Sequence, residues 1–350
     1  MKRLFFILMM LSISAFSVLP IVAQINLTGY KLVYSSETPQ RASVFLNLTD
    51  DELANCTGDF LNKNNFERNW EYSKKASSTW NKRMATTDEE RALVHKPAGG
   101  LLRLLAVTIN GKADGFITSG VNMKKAYQYG IFEIKAKCNP HASNFPAVWM
   151  MPEDQSDGWP NCGEIDIMEQ IGNSSTVYST VHLGARYDKS VGKTYSWSGS
   201  KYFNTDYHIY SLLWDKESLT FYTDGVQVFK YTKDTSLDLV NHPDYEKWQF
   251  PYNKAFYIIL DQALGMNEWW GSQDPDPSYT YEMDVEYVRI FQVEDDDTSS
   301  KIDVHKGIYE PNNNYGQARK FVRNGIIVIE SAGKEYSVTG QKLNKTNSDI

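Results

Sequence analysis

The sequence predicts an all-β protein built as a sandwich or barrel. Three observations carry that expectation. Short apolar runs alternate with polar residues at period two. Gly, Pro, Asn and Asp interrupt those runs often and regularly. Stretches with helical periodicity are scarce.

The runs that read as strands are "GLLRLLAVTI" (100–109), "YGIFEIKAKC" (129–138), "IYSLLWD" (209–215), "AFYIILDQAL" (255–264) and "MDVEYVRIFQV" (283–293). "LTFYTDGVQVFKY" (219–231) reads as a hairpin with Asp224–Gly225 at its tip, the pair best suited to a two-residue turn. One short helix is expected in "TDDELANC" (49–56), with Thr49 as its N-cap. A chain of this length can bury a large core in one such β domain.

The ends read differently from the body. Lys2 and Arg3 precede an almost unbroken apolar run from Leu4 to Val22, with Ala23 as a small residue at a cleavage point. That layout predicts a secretory signal peptide over residues 1–23. A membrane anchor is the competing reading, but Ser12, Ser14, Ser17 and Pro20 weaken the run. Residues 24–294 form one predicted β domain. Residues 295–350 read as a polar linker and a small β tail, with turns at Asn324–Gly325 and Ala332–Gly333. A bacterial protein that is secreted, periplasmic or held at the cell surface is expected, as a monomer and with no membrane span after cleavage.

Without Lys2 and Arg3, 34 basic residues face 43 acidic ones, a net of −9. This balance argues against nucleic acid as the partner. Three cysteines, Cys56, Cys138 and Cys162, cannot make a disulfide framework. The 22 Tyr, 16 Phe and 9 Trp suit both a β-sandwich core and stacking on sugar faces.

The residues with the strongest chemical signal are in "CGEIDIME" (162–169). On a regular strand Glu164 and Asp166 share a face, and Glu169 falls on the other. A β-bulge around Ile167–Met168 returns Glu169 to the acidic face and frees Ile165 and Met168 for the core. Glu164 and Glu169 are then about four strand steps apart, roughly 13 Å between Cα atoms. Side chains of that length can close to the roughly 5–5.5 Å between carboxyls that a retaining glycosidase needs. Asp166, one methylene shorter, sits between them, where it can tune their charge. Crowding three acids raises at least one pKa, as a general acid near neutral pH requires. Two other readings compete. A calcium site lacks the usual Asn/Asp/Gly loop. A solvated face fits poorly beside Trp149, Met150, Met151 and Trp159. A pair of acids for glycoside hydrolysis is the best of the three.

At this point the chain resembles a known family. "YGIFEIKAKCNPHASNFPAVWMMPEDQSDGWPNCGEIDIMEQIG" (129–172) is similar to the central segment of glycoside hydrolase family 16, above all its laminarinase-like β-glucanases. "STVHLG" (179–184), the hairpin region and "MDVEYVRIFQ" (283–292) extend the likeness over most of residues 100–293. The resemblance implies a concanavalin-like jelly-roll sandwich with an open substrate cleft on its concave face. It implies Glu164 as nucleophile, Glu169 as general acid/base and Asp166 as the assisting carboxylate, acting with retention. It also implies sugar contacts from Asn144, Trp149, Trp159, His182, Trp269 and Trp270. No cofactor is expected, apart from a structural calcium that Asp284 could help to hold.

The expected substrate is a polysaccharide cut at internal β-linkages, most of all a β-1,3- or mixed β-1,3/1,4-glucan. An algal galactan of the agar, porphyran or carrageenan type is the alternative. "ILDQALG" (259–265) departs from the family's usual form and leaves the subsites open. A non-catalytic glycan-binding protein on the same scaffold is the second class of reading. The intact Glu164, Asp166 and Glu169 set speaks against it.

Overall fold

The structure is a computed structural model. It describes residues 25–73, 83–174, 176–184, 193–200, 206–236, 238, 240–241, 243, 245–265 and 274–293, with strand residues 319–323, 326–331, 334–337 and 342–343 near the C-terminus. The predicted signal peptide and residues 295–318 of the predicted linker lie outside the described residues.

Antiparallel strands dominate, as the alternating runs predict. One half of the fold runs Lys193–Ser200, Val177–Leu183, Glu164–Gln170, Asn144–Pro152, Phe256–Leu264 and Phe116–Met123. The other runs Leu101–Thr108, Tyr281–Val293, Gly130–Cys138, His208–Trp214, Ser218–Thr223 and Val226–Thr232. The halves are joined where Val107 and Thr108 pair with Ile117 and Phe116. They fold onto each other, with Glu164–Gln170 packing on His208–Trp214 and Val177–Leu183 on Val226–Thr232. This is a nearly closed jelly-roll sandwich.

The core between the layers follows from strand alternation. Val148 and Met150 point inward from one strand, Ile165, Ile167 and Met168 from the next, and Val181 and Leu183 from the third. They meet Phe132, Ile134, Tyr210, Leu212, Trp214 and Phe221 of the opposite layer. On the other face of Asn144–Pro152, Trp149 and Met151 pack in a separate cluster with Cys162 and Ile259.

The predicted hairpin forms, and Asp224 and Gly225 both take positive φ, 50° and 74°, as a tight primed turn requires. The predicted helix also forms, over Asp50–Leu53. Thr49 caps Glu52 N–H, and the Glu52 carboxylate returns to the Thr49 backbone. Short helices at Pro39–Ala42, Lys63–Asn69 and Asp88–Val94 were not expected. The last carries the same capping box, between Thr87 and Glu90. Near the C-terminus a separate four-stranded sheet contains the Arg319–Arg323 and Ile326–Ser331 pair expected of the tail. Cys56, Cys138 and Cys162 are free and buried.

Candidate active site

The site is built on Glu164–Gln170, and the predicted bulge is there. Val148 pairs with Met168, but the next residue, Trp149, pairs with Asp166, so Ile167 is the extra residue. Against the other neighbour, Tyr178 faces Glu169 and Thr180 faces Asp166. The extra residue sends Ile165, Ile167 and Met168 into the core, each at most 2% exposed. Glu164 and Glu169 stay half-buried on the opposite face. Asp166 lies beneath them, 2% exposed. Apolar burial on one face thus holds three carboxyls together on the other, against their mutual repulsion.

Gly163 makes the entry to this strand possible. Its φ is 87°, and a Cβ there would lie 3.0 Å from Pro251 Cγ and 3.2 Å from Tyr252 Cε1. Only glycine combines that backbone with that approach.

Neighbouring strands supply the donors. His182 stands opposite Glu164 in the ladder. Its Nε2 is 3.2 Å from Asp166 Oδ2 and 3.7 Å from Glu164 Oε1. The Trp159 indole N–H donates to Glu164 Oε2 at 2.8 Å, while the ring itself is 60% exposed. The Trp159 and His182 rings are 5.5 Å apart, so together they form one wall over Glu164. The Thr180 hydroxyl donates to Glu169 Oε2 at 3.1 Å. Trp149 lies beside Asp166, and its indole N–H is held by Asp261 Oδ2 at 3.0 Å.

Burial is the largest influence on all three carboxyls. It pushes Glu164 up to about 8, helped by the Asp166 charge and opposed by His182 and Trp159. It pushes Glu169 up to about 7, helped by Glu164 and opposed by His182 and Thr180. Asp166 is raised well above the usual carboxylate range by burial and the Glu169 charge. The three titrate as one cluster, so the donors decide which oxygens carry charge. Glu164 faces the His182 ring and receives an indole N–H, both of which favour its anion, while burial and the Asp166 charge still hold its pKa above that of Glu169. Glu169 has a neutral hydroxyl, a setting that suits a proton carrier.

The candidate sugar contacts divide. Trp149, Trp159 and His182 border the carboxylates. Asn144 does not: it is 1% exposed, donates to Gln170 Oε1 at 3.2 Å and accepts from Gln262 Nε2. Its side chain is engaged in a buried amide network that ties the strands together. Trp269 and Trp270 lie outside the described residues. Asp284 accepts two hydrogen bonds from Arg103, at 2.7 and 2.9 Å, with Lys137 3.5 Å away. Two of the chain's own cations stand where a calcium was considered.

Two residues escaped the sequence reading as site components, Thr180 and Asp261. The Thr180 position follows from the register against Glu169. Asp261 marks the departure in "ILDQALG" and here holds an aromatic of the site.

A model described as "Glycosyl hydrolases family 16" matches residues 65–253. A keratan-sulfate endo-1,4-beta-galactosidase of Sphingobacterium multivorum is 30% identical over 300 residues, 83% of this chain and 67% of that protein. A beta-glucanase of Rhodothermus marinus is 33% identical over 175 residues, 48% of this chain. This chain spans 59% of that relative's length. Among solved structures, one from a study of endo-acting O-glycanases that human gut bacteria use to initiate mucin breakdown superposes with a TM-score of 0.54. It is 27% identical, and the match covers 65% of this chain and 92% of the other.

Proposed function

The chain belongs to glycosyl hydrolase family 16, and from that premise we propose that it cuts internal β-linkages of a galactose-containing glycan by double displacement with retention. That it is an endo-acting glycoside hydrolase follows from the family and its relatives. The residue roles and the substrate are the proposal.

One observation carries the mechanism: the extra residue Ile167 puts Glu164 and Glu169 on one face with Asp166 between them. Glu164 attacks the anomeric carbon, forming the glycosyl–enzyme bond as the glycosidic C–O bond breaks. Glu169 gives its proton to the leaving oxygen. Glu169 then takes a proton from water, whose oxygen displaces Glu164. His182 steadies the charge on Glu164 as it changes between carboxylate and ester, and pairs with the buried Asp166 beside it. Trp159 and Trp149 offer ring surface to the sugars on either side.

The galactan reading of the substrate is supported by the reach of the keratan-sulfate galactosidase match, along 83% of this chain. Strands and catalytic acids are common family property, whereas substrate choice resides in the connecting segments. The match to the β-glucanase is confined to 175 residues. The acid-lined site would repel a sulfate at the scissile sugar, so an unsulfated galactose is placed there. The glucan expected from the sequence is the second reading, favoured by the higher identity of that shorter match. The apolar run Leu4–Val22 supports export to where such polymers are met. Among the described residues no helix is long and apolar enough to cross a membrane.

Reducing-end release from keratan sulfate, mucin O-glycans, laminarin, barley glucan, agarose and porphyran tests the reading. Oligosaccharides released first from keratan sulfate or mucin glycans support it. Cleavage of laminarin or barley glucan alone moves the assignment to the glucan. Binding with no product from any of them leaves a glycan-binding protein.

A further inference from the structure

Two carboxylates and one imidazole converge beside Glu164–Gln170. Glu164, Asp166 and His182 each offer one ligand atom, and all three lie within 4.8 Å of one another. His182 Nε2 is 3.2 Å from Asp166 Oδ2 and 3.7 Å from Glu164 Oε1. Asp166 Oδ2 is buried, and its near polar neighbour is His182 Nε2. The other Glu164 oxygen is held by Trp159, which leaves Oε1 on the His182 side.

These separations suit a particular ion. Zinc binds His nitrogen and carboxylate oxygen at roughly 2.0–2.2 Å in a tetrahedron, which sets ligand atoms about 3.3–3.5 Å apart. Two of the three spacings fall near that range, and the third lies within 4.8 Å. Three protein ligands leave a fourth position on the open side for water. Calcium and magnesium take six or more oxygens and have no use for an imidazole.

We propose that zinc, or a similar borderline-soft divalent cation, binds Glu164, Asp166 and His182 and reversibly inhibits the enzyme by occupying the nucleophile. Inhibition rests on the hydrolase reading given above, but binding does not. The bland alternative is an ordinary carboxylate–histidine pair with no affinity for metal.

The test is calorimetric titration of the full chain, free of any polyhistidine tag, with zinc chloride. Magnesium and calcium chloride serve as controls. One zinc site is expected, with no comparable heat from magnesium or calcium. His182→Gln and Glu164→Gln should each weaken zinc by at least about tenfold, with near-ultraviolet circular dichroism confirming the fold. Glu169→Gln, which removes a catalytic group but no ligand, should leave zinc affinity within about threefold. On a cleaved substrate, zinc should raise KM, and a chelator should restore it. Undiminished zinc affinity in both ligand variants overturns the proposal, as does no binding up to about 1 mM zinc. A chain that cleaves no glycan yet shows this variant pattern keeps the metal site and loses the hydrolase reading.

Discussion

The Ser179 hydroxyl donates to the backbone carbonyl of Ile167 at 2.9 Å. Ile167 is the extra residue of the bulge, and a bulge leaves backbone groups without ladder partners. Ser179, 5% exposed on the neighbouring strand, supplies the missing partner. The aim of Glu169 therefore depends on a hydroxyl that touches no substrate.

Ser179→Ala is expected to cost about 1–2 kcal/mol of stability, because a buried carbonyl loses its donor. Turnover should fall roughly tenfold through misplacement of Glu169. KM should change less. Urea unfolding and steady-state kinetics on the same preparation check both. Unchanged turnover would mean that the bulge holds without this bond.

His182→Gln should shift the pH profile of kcat/KM to higher pH. His182 lowers the pKa of both Glu164 and Glu169, so replacing its ring lets both rise. The limbs, set together by the coupled ionisation of Glu164 and Glu169, then move in the same direction. A profile that only falls in height, without moving, would assign His182 to substrate binding alone.

Glu164→Gln should stabilise the fold at pH 8 more than at pH 4. The folded pKa of Glu164 lies above its unfolded value, at about 8 against an ordinary 4.5. Its contribution to stability is therefore fully present below the unfolded pKa and is lost as pH rises through about 8. The amide removes that loss, worth about 1–3 kcal/mol at pH 8. Chemical denaturation at the two pH values measures the difference. An equal effect at both would show that the carboxyl is not strained by burial.

Gly163→Ala is expected to destabilise by about 2–4 kcal/mol, from a positive φ and a Cβ forced against Pro251 and Tyr252. The damage should extend to activity, since Glu164 follows directly. Thermal unfolding with residual activity on the folded fraction reads both. A neutral substitution would mean that the entry turn tolerates rearrangement.

Much of this was legible in the residues. The E-x-D-x-x-E spacing cannot keep three acids on one strand face without an extra residue, so the bulge followed from period-two geometry. Asp224–Gly225 and the Thr49–Glu52 box are local signals, complete within a few residues. The Thr87–Glu90 box was as readable, but the helix it starts was passed over among strand-like neighbours. The buried setting of Asn144 was not legible, for a different reason. Its partners Gln170 and Gln262 are 26 and 118 residues away, and nothing local says whether an amide at a strand end turns to solvent or to them. Thr180 and Asp261 act through register between distant strands, which a single sequence does not contain.

The central claim is that Glu164 is the nucleophile and Glu169 the proton carrier. Its most direct test uses Glu169→Gln with a 2-deoxy-2-fluoro glycoside bearing a reactive leaving group, followed by peptide mass spectrometry. A sugar ester on Glu164 is the expected result. A label on any other residue, or release of the inverted anomer with no covalent species, would contradict it.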